Sequence, residues 1–223
     1  MKPESSEPTL YVPRHFAMPE PAEIHDFIRR VGLCTLITFG DELEASLVPV
    51  ALEGAETGNG VLRGHLARPN RQLARFRADV RALAVFQGPA HYITPAWYET
   101  KRRTAKVVPT YDYVVVQARG TLRIVDDPVR VHEHLASLTA QNEARVDSDW
   151  AISDAPHDYI ETMMNGIVAF ELPIDELVGK GKLSQNRPAE DIDGVVRGLE
   201  AIGSEAARAV AHLVEHSRPR AKD

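Results

Sequence analysis

Arg63 and His65 stand two residues apart, so on a strand they share a face, and Arg68 and Asn70 continue into the following turn. Donors grouped in this way suit a phosphate held by charge-assisted hydrogen bonds. The same pattern also suits a solvated strand edge blunted by charge. A second group is the run Lys101-Arg102-Arg103-Thr104-Ala105-Lys106, with Trp97 and Tyr98 before it and Thr110 and Tyr111 after it. Cations beside aromatic faces fit a ring-and-phosphate ligand or single-stranded nucleic acid. A solvated basic loop is the plainer alternative. The third group, Lys180, Lys182, Ser184, Gln185, Asn186 and Arg187, lies in a glycine-punctuated segment with no apolar period. That density of donors reads either as an anion clamp or as a surface turn.

Spacing excludes several other chemistries. His132 and His134 are two apart in a helical segment, so they point to different sides and cannot chelate one metal. No Cys/His set has zinc spacing. There is no Gly-x-Ser-x-Gly elbow, no Gly-x-x-x-x-Gly-Lys-[Ser/Thr] loop and no Gly-x-Gly-x-x-Gly turn. No helix-turn-helix emerges either, and the C-terminal segments carry Asp191, Asp193, Glu200, Glu205 and Glu215, which repel DNA.

The elements that must position these groups are mostly short strands. Leu33–Phe39, Ala45–Leu52 and Val61–Leu66 read as strands, the first two joined by a turn at Gly40-Asp41-Glu42. Leu83–Gln87 reads as a buried strand that breaks at Gly88-Pro89, and His91–Thr94 as a second short strand. Val114–Ala118 and Thr121–Val125 read as a hairpin around Arg119-Gly120, and Ile167–Leu172 as the last strong strand. Tyr11–His15 is expected as an extended arm. A first helix is expected from Pro21 to Arg30, with Ile24, Phe27, Ile28 and Val31 on one face and Gly32 ending it. Further helices are expected from Arg71 to Phe76 with Leu73 and Phe76 inward, after Asp127-Pro128, and from Ser153-Asp154-Ala155-Pro156 to Gly166. Two more close the chain, to about Leu199 and from Ser204 to His216. Without regular strand–helix alternation, a closed antiparallel barrel with peripheral helices is the expected fold, mainly β with helices (α+β).

At 223 residues the chain is long enough for one barrel with helical additions. A net charge of −6 argues against a broad attraction for nucleic acid. The lone Cys34 cannot make an intrachain disulfide, which points to a reducing cytoplasm. No apolar run reaches the roughly 18 residues of a membrane span, and no signal-peptide core is apparent at the N-terminus. A cytoplasmic protein with no membrane association is expected.

Several motifs, taken in order, resemble one family. They are Tyr11-Val-Pro-Arg-His-Phe16, Leu62-Arg-Gly-His65-Leu-Ala-Arg68-Pro-Asn70, Phe86-Gln87-Gly-Pro89 and Tyr92-Ile-Thr-Pro-Ala-Trp97-Tyr98. Lys106-Val-Val-Pro-Thr110, Trp150-Ala-Ile-Ser-Asp-Ala-Pro156, Asp158-Tyr-Ile160 and Lys182-Leu-Ser184-Gln185-Asn-Arg187 complete the set. Together they resemble PaiB proteins, described as FMN-binding negative transcriptional regulators, from Tyr11 to about Leu199. The resemblance implies an FMN-binding split β-barrel, normally a homodimer with flavin at the subunit interface. It implies FMN contacts at Arg63, His65, Arg68, Asn70, Gln87, Trp97, Tyr98, Lys106, Thr110, Tyr111, Lys182, Ser184, Gln185 and Arg187. The expected organisation is a disordered tail over 1–10, the flavin-binding domain over 11–188, and a helical extension of that domain over 189–223.

Three positions depart from the family pattern. Leu47 stands where a histidine is usual, Asp112 follows Tyr111 where Trp-Asn is usual, and Gly181 stands where a tryptophan is usual. Piperazate synthases resemble PaiB and use haem to close a nitrogen–nitrogen bond, and on that second reading His65 would be the iron ligand. A flavin reductase-like enzyme is a third. Direct DNA binding would fall to the cations Arg71, Arg75, Arg77 and Arg81 or to Lys101–Lys106, and in so acidic a chain it is expected to be weak.

Overall fold

Gly32, whose φ of 64° lies in the left-handed region, stops the first helix where the sequence places its end. Helix α1 runs Pro21–Val31 with Ile24, Phe27 and Ile28 buried, and strand β1 follows immediately over Leu33–Phe39. The computed structural model describes residues 10–40, 42–56, 58–74 and 80–218. Residues 1–9 of the expected tail, Asp41 of the first turn, and Arg75, Phe76 and Arg77 lie outside it.

The remaining elements are β2 (Leu43–Glu53), β3 (Val61–Ala67), α2 (Arg71–Ala74), β4 (Val80–Ile93), α3 (Glu99–Thr104), β5 (Thr110–Val125), α4 (Pro128–Glu143), α5 (His157–Asn165), β6 (Ile167–Lys182), α6 (Ala189–Ile202) and α7 (Glu205–His216). They group into two compact units. One comprises Glu20–Phe86 and Val116–Leu177; the other comprises the segment to Pro19, Gln87–Val115 and the chain from Val178.

The first unit holds a closed antiparallel barrel with strand order β1-β2-β3-β6-β5-β4. Alternation along β1 puts Cys34, Leu36 and Thr38 inside, and β2 adds Val48 and Val50. The register pairs Leu33 with Pro49, Thr35 with Leu47, Ile37 with Ala45 and Phe39 with Leu43, so one largely apolar face of this strand pair points away from the interior. Helix α4 begins where Asp127 accepts from the Val129 N–H at 3.0 Å, with Pro128 as its first residue. The helix lays Val131 against Val125 and Ala169.

Several local expectations need correction. Strand β4 does not break at Gly88-Pro89 but continues to Ile93. Its ladder with β1 covers only Ala82–Val85, so Pro89 lies where that neighbour asks for no N–H. Nor is there a hairpin at Arg119-Gly120, because β5 runs straight through. Gly120 is required for another reason: a Cβ there would sit 2.0 Å from the Pro173 carbonyl oxygen. In α2, the buried side chain is Gln72, not Leu73. Its amide nitrogen donates to the Leu36 carbonyl at 3.2 Å and to Thr38 Oγ1 at 3.0 Å. The expected arm at Tyr11–His15 closes into a short 3-10 turn over Arg14–Phe16.

In the second unit, the expected basic loop at Lys101–Lys106 is largely helix α3. Its N-terminus is capped from a distant residue: Asp191 accepts from the Thr100 N–H and the Thr100 hydroxyl, each at 2.8 Å. Strand β6 extends ten residues beyond Leu172, to Lys182, and is met by Ala17 at Lys180. Helix α6 carries Gly194 and Gly198 as a notch for the segment before α3: a Cβ on Gly198 would lie 2.3 Å from the Trp97 ring. Among the described residues no helix is long and apolar enough to cross a membrane.

Candidate functional site

The structure divides the fourteen sequence-expected contacts between the two units. Arg63, His65, Arg68 and Asn70 belong to the barrel unit; the other ten belong to the second.

In the barrel unit, all four side chains are engaged by the protein itself. Arg63 pairs with Glu53 at 2.6 Å and with Glu171 at 2.8 Å, and Glu171 also takes Arg130 from α4. Burial acts to raise the Glu171 carboxyl, but Arg130 and Arg63 hold it below the usual range. Arg68 donates to the carbonyls of Asn165 and Ile167 at 2.8 and 2.9 Å, closing the end of α5. Asn70 donates to Ser46 and accepts from the Gln72 N–H, which starts α2. His65 Nδ1 lies 3.0 Å from His134 Nε2 on α4, and the other ring nitrogen of His134 is buried without a partner among the described residues. Burial lowers the His65 imidazole. Burial, then His65 and Arg63, push His134 down to about 4. Two neutral rings therefore share one hydrogen bond.

In the second unit, β5 and the end of β6 bring a different polar group together. Asp112, fully buried on β5, accepts at Oδ2 from the Ser184 hydroxyl at 2.6 Å, while its Oδ1 has no partner among the described residues. Ser184 holds this position with a φ of 60°, a left-handed conformation unusual for a residue with a side chain. Lys182 Nζ donates to Thr110 Oγ1 and to the Tyr111 carbonyl at 2.6 Å. Gln185 fastens the same turn, accepting from the Leu183 N–H at 2.7 Å and donating to the Gly181 carbonyl at 2.6 Å. The Arg187 guanidinium lies 4.6 Å from the centre of the Tyr98 ring, and among the described residues the buried Tyr98 hydroxyl has no well-aligned hydrogen-bond partner, Arg187 being the charged donor near it.

The electrostatics of this group follow from burial with insufficient pairing. Burial raises the Asp112 carboxyl, against the Ser184 hydrogen bond and the charges of Lys182 and Arg187. Burial also lowers the Lys182 ammonium. Among the described residues neither Lys182 nor Arg187 forms an ion pair, and the exposed Lys106 side chain has no partner. Partly buried cations without counterions are what an anion site requires.

The other expected residues take varied places. Gln87 is exposed on β4, and Tyr111 is exposed with its ring 5.7 Å from that of Tyr92. Trp97 is spent on packing against α6. Leu47 is exposed on the outer barrel face, while a Cβ on the buried Gly181 would meet Leu183 only at ordinary contact distance, 3.5 Å. Sequence reasoning missed the His65–His134 pair, although Val131, His134 and Leu138 share a helical face that signals burial of His134. It also missed Asp191, for which no local signal exists.

Comparison with known proteins bears on what this arrangement holds. Residues 10–176 match the family described as "Putative FMN-binding domain". An uncharacterized protein of Emericella nidulans is 36% identical over 203 residues, covering 77% of this chain and 81% of its own. The Bacillus subtilis protein named Protease synthase and sporulation protein PAI 2 is 26% identical over 208 residues, covering 92% of this chain and 97% of its own. Among solved structures, the FAD and heme binding protein of Mycobacterium smegmatis superposes with a TM-score of 0.55 at 14% identity, over 74% of this chain and 73% of its own. The fold is thus that of the flavin-binding split barrels.

Proposed function

The chain belongs to the PaiB-like family of FMN-binding domains, and from that premise we propose that it binds FMN, with the phosphate held by the segment Lys182–Arg187. The observation that carries this reading is the pair of partly buried cations, Lys182 and Arg187, which among the described residues make no direct ion pair with a carboxylate. A phosphate placed there accepts a fork of hydrogen bonds from Arg187 and relieves the buried Lys182 ammonium. Lys106 lies free to add a third charge, and the exposed Tyr111 offers a ring face. Bound flavin would supply redox chemistry; the chain's own residues would bind and orient it. The barrel-unit set Arg63, His65, Arg68 and Asn70 is engaged within its own unit, at neighbouring strands and helix ends.

Homodimerisation is part of the proposal. Phe39, Leu43 and Leu47 on the outer barrel face are each more than 60% exposed, a concentration of apolar surface that a second copy would cover. Residues 11–188 would carry the flavin site in a reducing cytoplasm. Residues 189–223 would extend the same domain, as the contacts of Asp191 and Gly198 with Thr100 and Trp97 favour.

The regulatory role goes with the reading in an indirect form. On α3, Arg102 pairs with Glu99 and Arg103 with Glu190, and Arg81 pairs with Asp175. Three of the candidate cations are thus engaged within the protein and the chain is acidic overall, so any effect on transcription would pass through a metabolite or a partner.

A second reading, a haem enzyme, draws on the His65–His134 bond. An imidazole whose Nδ1 is fixed by a neighbour is oriented to offer Nε2 to iron. The test is reconstitution of the purified protein with FMN or haemin, followed by absorption. Bound flavin supports the first reading; a Soret band from a protein indifferent to FMN supports the second and overturns the first.

A further inference from the structure

The second unit contains two fully buried carboxylates with opposite fates. Asp191 is satisfied at both oxygens by Thr100. Asp112 receives the Ser184 hydroxyl, and among the described residues its Oδ1 has no partner, although Lys182 and Arg187 are close enough to act on its charge. Those two cations are turned elsewhere, Lys182 to Thr110 and the Tyr111 carbonyl, Arg187 to the Tyr98 ring. They compensate the buried carboxylate at a distance without forming ion pairs with it. Resting on the reading that the same two cations receive the ligand's phosphate, we propose that binding of FMN drives one proton from solvent onto the carboxyl of Asp112.

The reason is competition for the same positive charge. A phosphate engaging Lys182 and Arg187 neutralises what supported the carboxylate and places fresh negative charge near it, in a setting too buried for water to screen. The groups facing Asp112 are Lys182 and Ser184 from β6 and its end, Arg187 from the following turn, and Tyr98 from the segment before α3. Asp191 on α6 acts on Tyr98. Among the described residues, Lys182 and Arg187 are the cations that act on Asp112. Burial already raises the Asp112 carboxyl in the free protein, and binding raises it further. FMN affinity attributable to Asp112 therefore increases as pH falls through the window between the free and bound values, by up to about tenfold per pH unit for one proton. The phosphate's own second ionisation, near pH ~6, works in the opposite direction. It is common to every variant, so the difference between wild type and variant isolates Asp112.

The experiment is calorimetric titration with FMN in two buffers of different ionisation enthalpy, which counts protons taken up per ligand bound. Wild type, Asp112→Asn and Ser184→Ala are compared, with riboflavin as the ligand lacking phosphate. Net uptake with FMN in wild type, absent with riboflavin and reduced by up to one proton in Asp112→Asn, is the expected result. Ser184→Ala keeps the carboxyl and removes the hydroxyl's hydrogen bond to it, so it retains the uptake in a window moved to higher pH; it also serves if Asp112→Asn does not fold. Equal uptake in wild type and Asp112→Asn, a Ser184→Ala profile identical to wild type, or equal uptake with riboflavin overturns the coupling and leaves FMN binding intact. Failure of FMN to bind at any pH overturns the underlying reading instead, and the coupling with it.

Discussion

Replacing Arg187 by alanine separates an anion site from a surface turn. In the free protein the guanidinium lies over the Tyr98 ring at 4.6 Å and acts on the Asp112 carboxyl only at a distance. A cation–π contact at such a site contributes about 0.5–1 kcal/mol, so unfolding free energy should fall by no more than that. A charged hydrogen bond to phosphate contributes ~1.5–3 kcal/mol, and ~1.4 kcal/mol is a decade of affinity. Arg187→Ala should therefore weaken FMN by roughly tenfold to a hundredfold while leaving the melting curve nearly unchanged. Riboflavin, which has no phosphate, should lose little. Fluorescence quenching of each ligand, alongside urea unfolding of each protein, reads both numbers. A folded variant that binds FMN as tightly as wild type would refute the assignment of phosphate to this segment.

Two further outcomes follow from the barrel unit. An imidazole held below its unfolded value resists protonation, so the stability tied to His134 is complete above pH 6.5 and is lost as pH falls toward about 4. With His134 only 2% exposed, the loss amounts to about 3 kcal/mol, measurable as the difference in acid unfolding between wild type and His134→Leu; parallel pH profiles would contradict it. On the outer barrel face, Leu43→Glu combined with Phe39→Glu should convert a dimer into a monomer without lowering the melting temperature substantially, as sedimentation would record. An unchanged mass would place the self-association surface elsewhere or remove it.

The barrel was legible in the sequence because period-two alternation and turn residues are local signals. Leu33–Phe39 and Val61–Leu66 come within one residue of the observed strands, and Pro21 and Gly32 delimit α1. What local signals do not carry is the role a glycine or a charge takes from a distant segment. Gly120 reads as a turn until the Pro173 carbonyl is seen pressing on it. Lys101–Thr104 reads as a loop until Asp191 supplies the cap. The site was legible in part. Lys182, Ser184 and Arg187 stand out as donors, but nothing in their spacing says that Ser184 takes a left-handed conformation to reach a buried Asp112. Arg63 and Arg68 look like free phosphate ligands because Glu171 and the two carbonyls that engage them lie about a hundred residues away.

Hydrogen exchange of the protein with and without FMN tests the central claim most directly. If the phosphate sits on the segment Lys182–Arg187, the backbone amides of Lys182–Arg187 and Thr110–Asp112 gain protection with FMN and gain much less with riboflavin. FMN bound with protection elsewhere, or equal protection by the two ligands, would contradict the site.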